Sequence, residues 1–278
     1  MGRIGVSANQ AWMKELHAPF VLSNTQRSFY TENGYIKLRQ VLPAKLLEHY
    51  RIHISAKVAE LSADKLPLDQ RSTYDKAFLQ VGNLWLVSAE AREFVFGLRL
   101  ARIAAELMGC RGVRLYHDQA LYKEPGGGIT PWHADQYYFP VSNDRVVTAW
   151  VPLQNTPLEM GPLAFCEKSH RLHYGRDLEI GDESEAALEE ALKDFTKNNS
   201  PYSLGDVSFH AGWTFHRAEA NSSEKPREVM TMIYIDQEMR LAAPKNKNQI
   251  LDWEEYCPLV QIGEIIDSPK TPIIYTRE

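Results

Sequence analysis

The chain has little cysteine, no long apolar run and no excess of positive charge, and each absence excludes something. Cys110, Cys166 and Cys257 are its only cysteines, spread over 278 residues with no C-x-x-C. Such a set builds neither a disulfide framework nor a thiolate zinc site. It predicts three reduced thiols in a reducing compartment. No stretch of about 18 apolar residues occurs, so no transmembrane helix is expected. Residues 1–23 carry Lys14, Glu15 and His17 and lack the apolar centre of a secretory signal. A cytoplasmic protein is the resulting expectation. Lys and Arg number 31 against 36 Asp and Glu, a net charge of −5, and no basic cluster is visible. Nucleic acid and an anionic membrane surface are therefore not expected partners. Gly126-Gly127-Gly128 lacks a following Lys-Ser/Thr and a helix, so it is no phosphate cradle. It reads as a mobile loop. No internal repeat is present, and oligomeric state is not legible.

What is present suits an ordinary globular core, with 44% hydrophobic and 24% charged residues. A single domain over residues 1–278 is expected. Residues 1–23 read as a loosely ordered arm and 24–112 as mainly helical. Thr25 reads as the cap of a helix running to about Asn33 and ended by Gly34. Tyr35–Leu38 alternates like a strand. Pro43 opens a helix to about Ser62, with Leu46, Leu47, Tyr50, Ile54, Val58 and Leu61 at helical spacing. Ala89–Met108 reads as one long helix stopped by Gly109. From Val113 the period changes. Val113–Lys123, Val146–Leu153, Leu163–Phe165, Val207–His210, Trp213–His216 and Val229–Ile235 are short apolar runs between turn residues, as in a sandwich or barrel. The fold class is thus α+β, with N-terminal helices packed on one sheet of a jelly-roll core over residues 113–240. An acidic insertion at 174–200 suits a solvated helix, or a lid. A tail over 241–278 docks through Trp253, Tyr256, Leu259 and Ile262.

The sharpest local pattern is Trp132-His133-Ala134-Asp135. Residues i and i+2 of a strand share a face, so His133 and Asp135 can reach one cation. A lone H-x-D is weak. A third ligand lies about 80 residues on, where Gly205–His216 holds His210 and His216. Two histidines and a carboxylate on one face of an octahedron leave three positions open, as in non-haem Fe(II) oxygenases. Arg227 follows His216 by eleven residues. At the start of the returning strand, beside the one carrying His216, its guanidinium could take a carboxylate bidentately. This spacing favours His216 over His210 as the distal ligand. His49, His53, His170 and His173 read as structural or surface groups. His117 and Gln119 share one strand face, which Asp118 does not.

Trp132–Tyr138, Thr148–Leu153, Met160–Leu163, Ser169-His170-Arg171 and Gly205–Arg227 together resemble the phytanoyl-CoA dioxygenase family, from about Gln80 to Ile235. The resemblance implies a double-stranded β-helix and Fe(II), 2-oxoglutarate and O2 as cofactor and co-substrates. It implies iron ligands at His133, Asp135 and His216, and Arg227 as the 2-oxoglutarate arginine. It also implies co-substrate contacts at Gln119, four residues before Lys123-Glu124-Pro125, at Trp150 and at Gln80. The phytanoyl-CoA enzyme itself looks to have a lysine at the last position. Halogenases of this kind replace the carboxylate ligand with a small residue. Asp135 therefore implies hydroxylation or a related oxidation of a small molecule. His117, Tyr137, Tyr138 and Arg145 are the candidate substrate contacts. Two other readings share the triad: a zinc hydrolase, and a β-barrel binding protein.

Overall fold

From Gly112 onward the chain folds as antiparallel strands that sort into two facing sheets. The computed structural model describes residues 8–71 and 76–277, so the first seven residues of the expected arm lie outside it. In chain order the helices are α1 (Ala8–His17), α2 (Asn24–Asn33), α3 (Ala44–Leu61), α4 (Ala89–Val95), α5 (Leu98–Met108), α6 (Asp182–Ala191) and α7 (Lys247–Tyr256). The strands are β1 (Tyr35–Leu38), β2 (Leu79–Gly82), β3 (Gly112–Tyr122), β4 (Thr130–His133), β5 (Val146–Pro152), β6 (Leu163–Cys166), β7 (Lys197–Asn199), β8 (Val207–Ala211), β9 (His216–Ala218), β10 (Val229–Asp236) and β11 (Ile273–Thr276). The major sheet runs β1-β8-β5-β10-β3-β11, with β2 also paired to β3, and the minor sheet runs β4-β9-β6-β7. The long β3 has two partners on its outer edge: β11 along Gly112–Arg114 and β2 along Gln119–Tyr122.

Strand alternation decides what the major sheet gives to each side. Val147, Ala149 and Val151 of β5 and Met230, Met232 and Tyr234 of β10 pack with Leu46, Ile54, Leu100 and Ile103 in the main core. The intervening Thr148, Trp150, Thr231 and Ile233 face a cavity between the sheets. In β3 the register slips opposite Ile233 and Tyr234, which leaves Tyr116 as an extra residue. This bulge re-phases the strand. Tyr116 and His117 consequently both lie on the inner side, and Gln119 follows.

Several expectations are corrected. The N-terminal arm is helical from Ala8, and Leu16 and Leu22 are buried against the helical layer. Arg99 fixes it by donating to the Ala18 carbonyl. The cap of α2 is Ser23, not Thr25: its hydroxyl accepts from the Gln26 amide while the Gln26 side chain accepts from the Ser23 amide. Leu61 is exposed. The expected helix 89–108 is two helices, α4 and α5, broken at Phe96-Gly97. A Cβ on Gly97 would sit 3.1 Å from the Phe94 carbonyl oxygen and 3.2 Å from Leu16, so the break admits α1. The strand expected at Trp213 starts only at His216. In the tail, Trp253 and Tyr256 pack on the core, but Leu259 and Ile262 are exposed and Cys257, Val260 and Ile266 are buried instead. The triglycine is tied down: its amides donate to the carbonyls of Asn221, Glu124 and Lys76.

Helix α6 lies against β4. Glu185 accepts from the Trp132 amide and Glu189 from the Trp132 indole, each at 2.7 Å, and Arg217 of β9 pairs with Glu185 at 2.8 Å. The three cysteines are free and buried. Among the described residues no helix is long and apolar enough to cross a membrane.

Gly34 ends α2 at φ 81°, and its carbonyl accepts from the Ala211 amide and the Thr214 hydroxyl. A Cβ there would lie 2.3 Å from His170 Nδ1 and 2.6 Å from Thr214 Oγ1. Left-handed backbone alone costs an L-residue about 1–2 kcal/mol. Gly34→Ala should therefore lower stability by more than about 2 kcal/mol in urea unfolding. A shift under about 0.5 kcal/mol would contradict this account.

Candidate metal centre

His133 and His216 are direct cross-strand partners in the β4–β9 pairing of the minor sheet. Their rings lie 4.2 Å apart between centroids. The strand β4 ends at His133, earlier than the H-x-D reading requires. Ala134 nevertheless stays extended at φ −125°, ψ 129°, so the alternation carries through to Asp135 at the start of a 3-10 turn. Asp135 Oδ1 is 3.7 Å from His133 Nε2 and 3.5 Å from His216 Nε2. The three potential ligand atoms lie within 4.8 Å of one another.

The Nδ1 atoms of both histidines meet main-chain carbonyls, His133 that of Pro131 at 2.7 Å and His216 that of Thr214 at 2.9 Å. A ring donating from Nδ1 presents the Nε2 lone pair, the tautomer a metal ligand needs. The other carboxylate oxygen is held from the opposite sheet. Thr148 Oγ1 donates to Asp135 Oδ2 at 2.7 Å, and His210 Nε2 lies 3.0 Å from the same atom. Thr148 and His210 are themselves cross-strand partners, in β5 and β8. His210 thus stands against the second carboxylate oxygen, outside the group of His133, Asp135 and His216. Burial alone would raise the Asp135 carboxyl, but His216, His210 and His133 hold it far below the usual carboxylate range. Burial also lowers the pKa of His133, and burial with the neighbouring imidazoles lowers that of His216 strongly. The site therefore favours an ionised carboxylate and neutral imidazoles, the protonation state of a metal-ready donor set.

Arg227 lines the same cavity. It is 1% exposed. One arm donates to the Gly161 carbonyl, the guanidinium carbon stands 5.5 Å from the Trp150 ring centre, and Nε is buried without a partner. Burial lowers its pKa to about 10, and no carboxylate among the described residues offsets that. A buried guanidinium without a counter-ion is costly unless a ligand supplies one. The arginine does not come from a strand beside His216, as the spacing suggested. It precedes β10 of the major sheet and bridges to Lys123, whereas β9 belongs to the minor sheet. Lys123, also buried, is saturated: it donates to Gly128 O at 2.5 Å, Glu219 O at 2.9 Å and Thr130 Oγ1 at 3.3 Å.

His117, Gln119, Gln80, Trp150 and Tyr138 all line the cavity with the triad. Asp118 points the other way and accepts from the Leu84 and Trp85 amides. Two candidates lie elsewhere. Arg145 pairs with Asp236 at 2.7 Å, and the carbonyl of Tyr137 accepts from Gln249 of α7. Neither lines the cavity. Sequence reading missed Thr148 as a partner of Asp135. It also missed Asp252 and Tyr256, which α7 brings to the cavity wall. The alternation of Thr148 with Val147 and Ala149 marked an inward polar position; nothing local marked Asp252.

Two histidines and one carboxylate set inside a jelly roll, with an unpaired arginine on the same cavity, define the class of non-haem iron oxygenases. The chain belongs to the phytanoyl-CoA dioxygenase (PhyH) family, whose model matches residues 30–229. It is 25% identical over 224 residues to a probable alpha-ketoglutarate-dependent hypophosphite dioxygenase of Stutzerimonas stutzeri, covering 75% of this chain and 77% of that protein. Among solved structures it is similar to the carbocyclase SnoK from nogalamycin biosynthesis, with a TM-score of 0.77 and 23% identity over 93% of this chain and 100% of that one. It is also similar to the epimerase SnoN in complex with Fe3+, alpha ketoglutarate and nogalamycin RO, with a TM-score of 0.73, 25% identity and coverage of 90% and 98%.

Partners that hold a ligating carboxylate typically contribute 10–100-fold to metal affinity. Thr148→Val should therefore weaken Co(II) binding by about 10–100-fold in equilibrium dialysis, with the circular dichroism spectrum unchanged. Unaltered affinity would mean that Thr148 does not orient Asp135.

Proposed function

We propose that His133, Asp135 and His216 hold Fe(II), and that Arg227 takes the distal carboxylate of 2-oxoglutarate in a 2-oxoglutarate-dependent dioxygenase. The protein is an oxidoreductase of that class. It oxidises an unactivated C–H bond of a small organic molecule and releases succinate and CO2. The observation that carries the residue assignment is Arg227, a buried cation without a counter-ion on the cavity that holds the triad. A zinc hydrolase or a plain binding barrel leaves that cation unexplained.

The donor set fits a ferrous ion: two neutral imidazoles and one carboxylate occupy one side of the cavity. When bound, iron with 2-oxoglutarate supplies the oxidising chemistry, and the protein supplies binding, orientation and exclusion of side reactions. His210 and Thr148 fix Oδ2 of Asp135 and so leave Oδ1 to the metal side. Trp150 walls the guanidinium, and Gln119 and Gln80 offer further polar contacts to the same anion. The cavity of about 240 Å3 suits a small-molecule substrate. A reducing cytosolic setting is the location we propose, supported by three free, buried thiols.

The test is an anaerobic titration with Fe(II) and then 2-oxoglutarate, watched in the visible. A weak charge-transfer band is expected. It should be absent in His216→Ala. Losing one partner of a buried charge pair costs about 2–5 kcal/mol, so Arg227→Gln should need about 30–5,000-fold more 2-oxoglutarate for the same band. Bound iron with no band would remove the co-substrate assignment, and an unchanged half-saturation point in Arg227→Gln would remove Arg227 from it.

A further inference from the structure

The cavity that holds the triad is also lined by a carboxyl group outside the proposed metal and 2-oxoglutarate contacts. Asp252 lies on α7, beyond the residues 30–229 that the family model matches. It lines the cavity. The buried Tyr116 hydroxyl donates to its Oδ2. No cation among the described residues pairs with it, and the charge acting on it is Glu255, of the same sign. Burial pushes its pKa up to about 8. Two tyrosines stand beside it: Tyr116 bonds it and Tyr256 follows it by one helical turn. Tyr116 and Tyr256 lie 5.3 Å apart, and Tyr256 stacks on His117 at 4.7 Å. Tyr256 is four residues from Asp252, on the same face of α7. His117 Nδ1 is buried without a partner and adds a second polar atom.

We infer that Asp252, with Tyr116, His117 and Tyr256, selects the substrate, and that the substrate is a small molecule bearing a cationic nitrogen, an ammonium or an amidinium. This rests on the oxygenase reading of the cavity. An anion finds no cation on this wall to pair with, and it meets a carboxyl and the negative faces of aromatic rings. A neutral hydroxyl would be served by an amide or hydroxyl side chain, without the cost of burying a carboxyl. A cation satisfies both features: it pairs with the carboxylate through charge-assisted hydrogen bonds, and it is attracted to aromatic faces once desolvated. The bulge at Tyr116 is what brings two consecutive side chains of β3 to this wall. The cation would anchor the substrate at Asp252 and leave the rest of it toward the triad.

The experiment is calorimetric titration of the anaerobic Fe(II) and 2-oxoglutarate complex with three matched probes: cyclohexylmethylammonium, cyclohexylmethanol and cyclohexanecarboxylate. The ammonium should bind at least about ten-fold tighter than the alcohol, and the carboxylate more weakly than both. Asp252→Asn should erase the preference while leaving the alcohol within about two-fold. Tyr256→Leu should weaken the ammonium alone, by about three- to ten-fold. No preference in the native protein, a preference kept in Asp252→Asn, or no binding of any probe overturns the inference. The charge-transfer band recorded before each titration judges the oxygenase reading separately, because probe preference is read from heat and does not depend on it.

Discussion

The Asp135 carboxylate is held by both sheets at once, and the geometry of the site follows from that. Its Oδ1 faces a cross-strand histidine pair in the minor sheet, and its Oδ2 is bound by a cross-strand Thr–His pair in the major sheet. Each pair is set by strand register, and a slip of one residue would turn its side chains to the other face. The distance between the sheets is therefore coupled to the shape of the donor set. The N-terminal helices serve this arrangement indirectly, by burying the outer face of the major sheet so that its inner face can carry polar groups.

The polar groups of the cavity divide into those satisfied within the protein and those left open. Lys123 donates to three oxygens, and Asp118 accepts two amides. These groups fasten the triglycine loop and the turn after β2. Arg227 Nε and His117 Nδ1 are buried without partners, and Asp252 has no cation. Burying a charged or polar group without a partner is unfavourable, so the open groups are the ones whose chemistry a ligand completes. Their signs differ by place: a cation beside Trp150, and an acid beside Tyr116 and Tyr256.

Much of this was legible because periodicity and turn residues survive in one dimension. The change of period near residue 113 pointed to helices followed by a jelly roll, and H-x-D, the distal histidine and the arginine marked the candidate donor set and a candidate anion partner. Where reading failed, the reason is physical. Ala89–Met108 has continuous helical spacing, but the chain breaks at Phe96-Gly97, where Leu16 of α1 packs close. The arm before residue 23 looks polar because its anchors, Leu16 and Leu22, are isolated apolar residues whose partners are far along the chain. Arg145 and Tyr137 sit near the motif in sequence, yet the turn carries them to Asp236 and to α7.

The sequence by itself marked His133, Asp135 and His216 as the candidate donors, because H-x-D and a distal histidine are residue types and spacings that survive in one dimension. The tertiary structure alone decided three further matters. It brought His210 and Thr148 of the major sheet to the second oxygen of Asp135, it put Arg227 ahead of β10 of the major sheet while His216 lies in the minor sheet, and it brought Asp252 from the C-terminal helix to the same cavity. Each depends on pairing between residues far apart in the chain. Neither local propensity nor spacing encodes such pairing; the register and packing of the two sheets do.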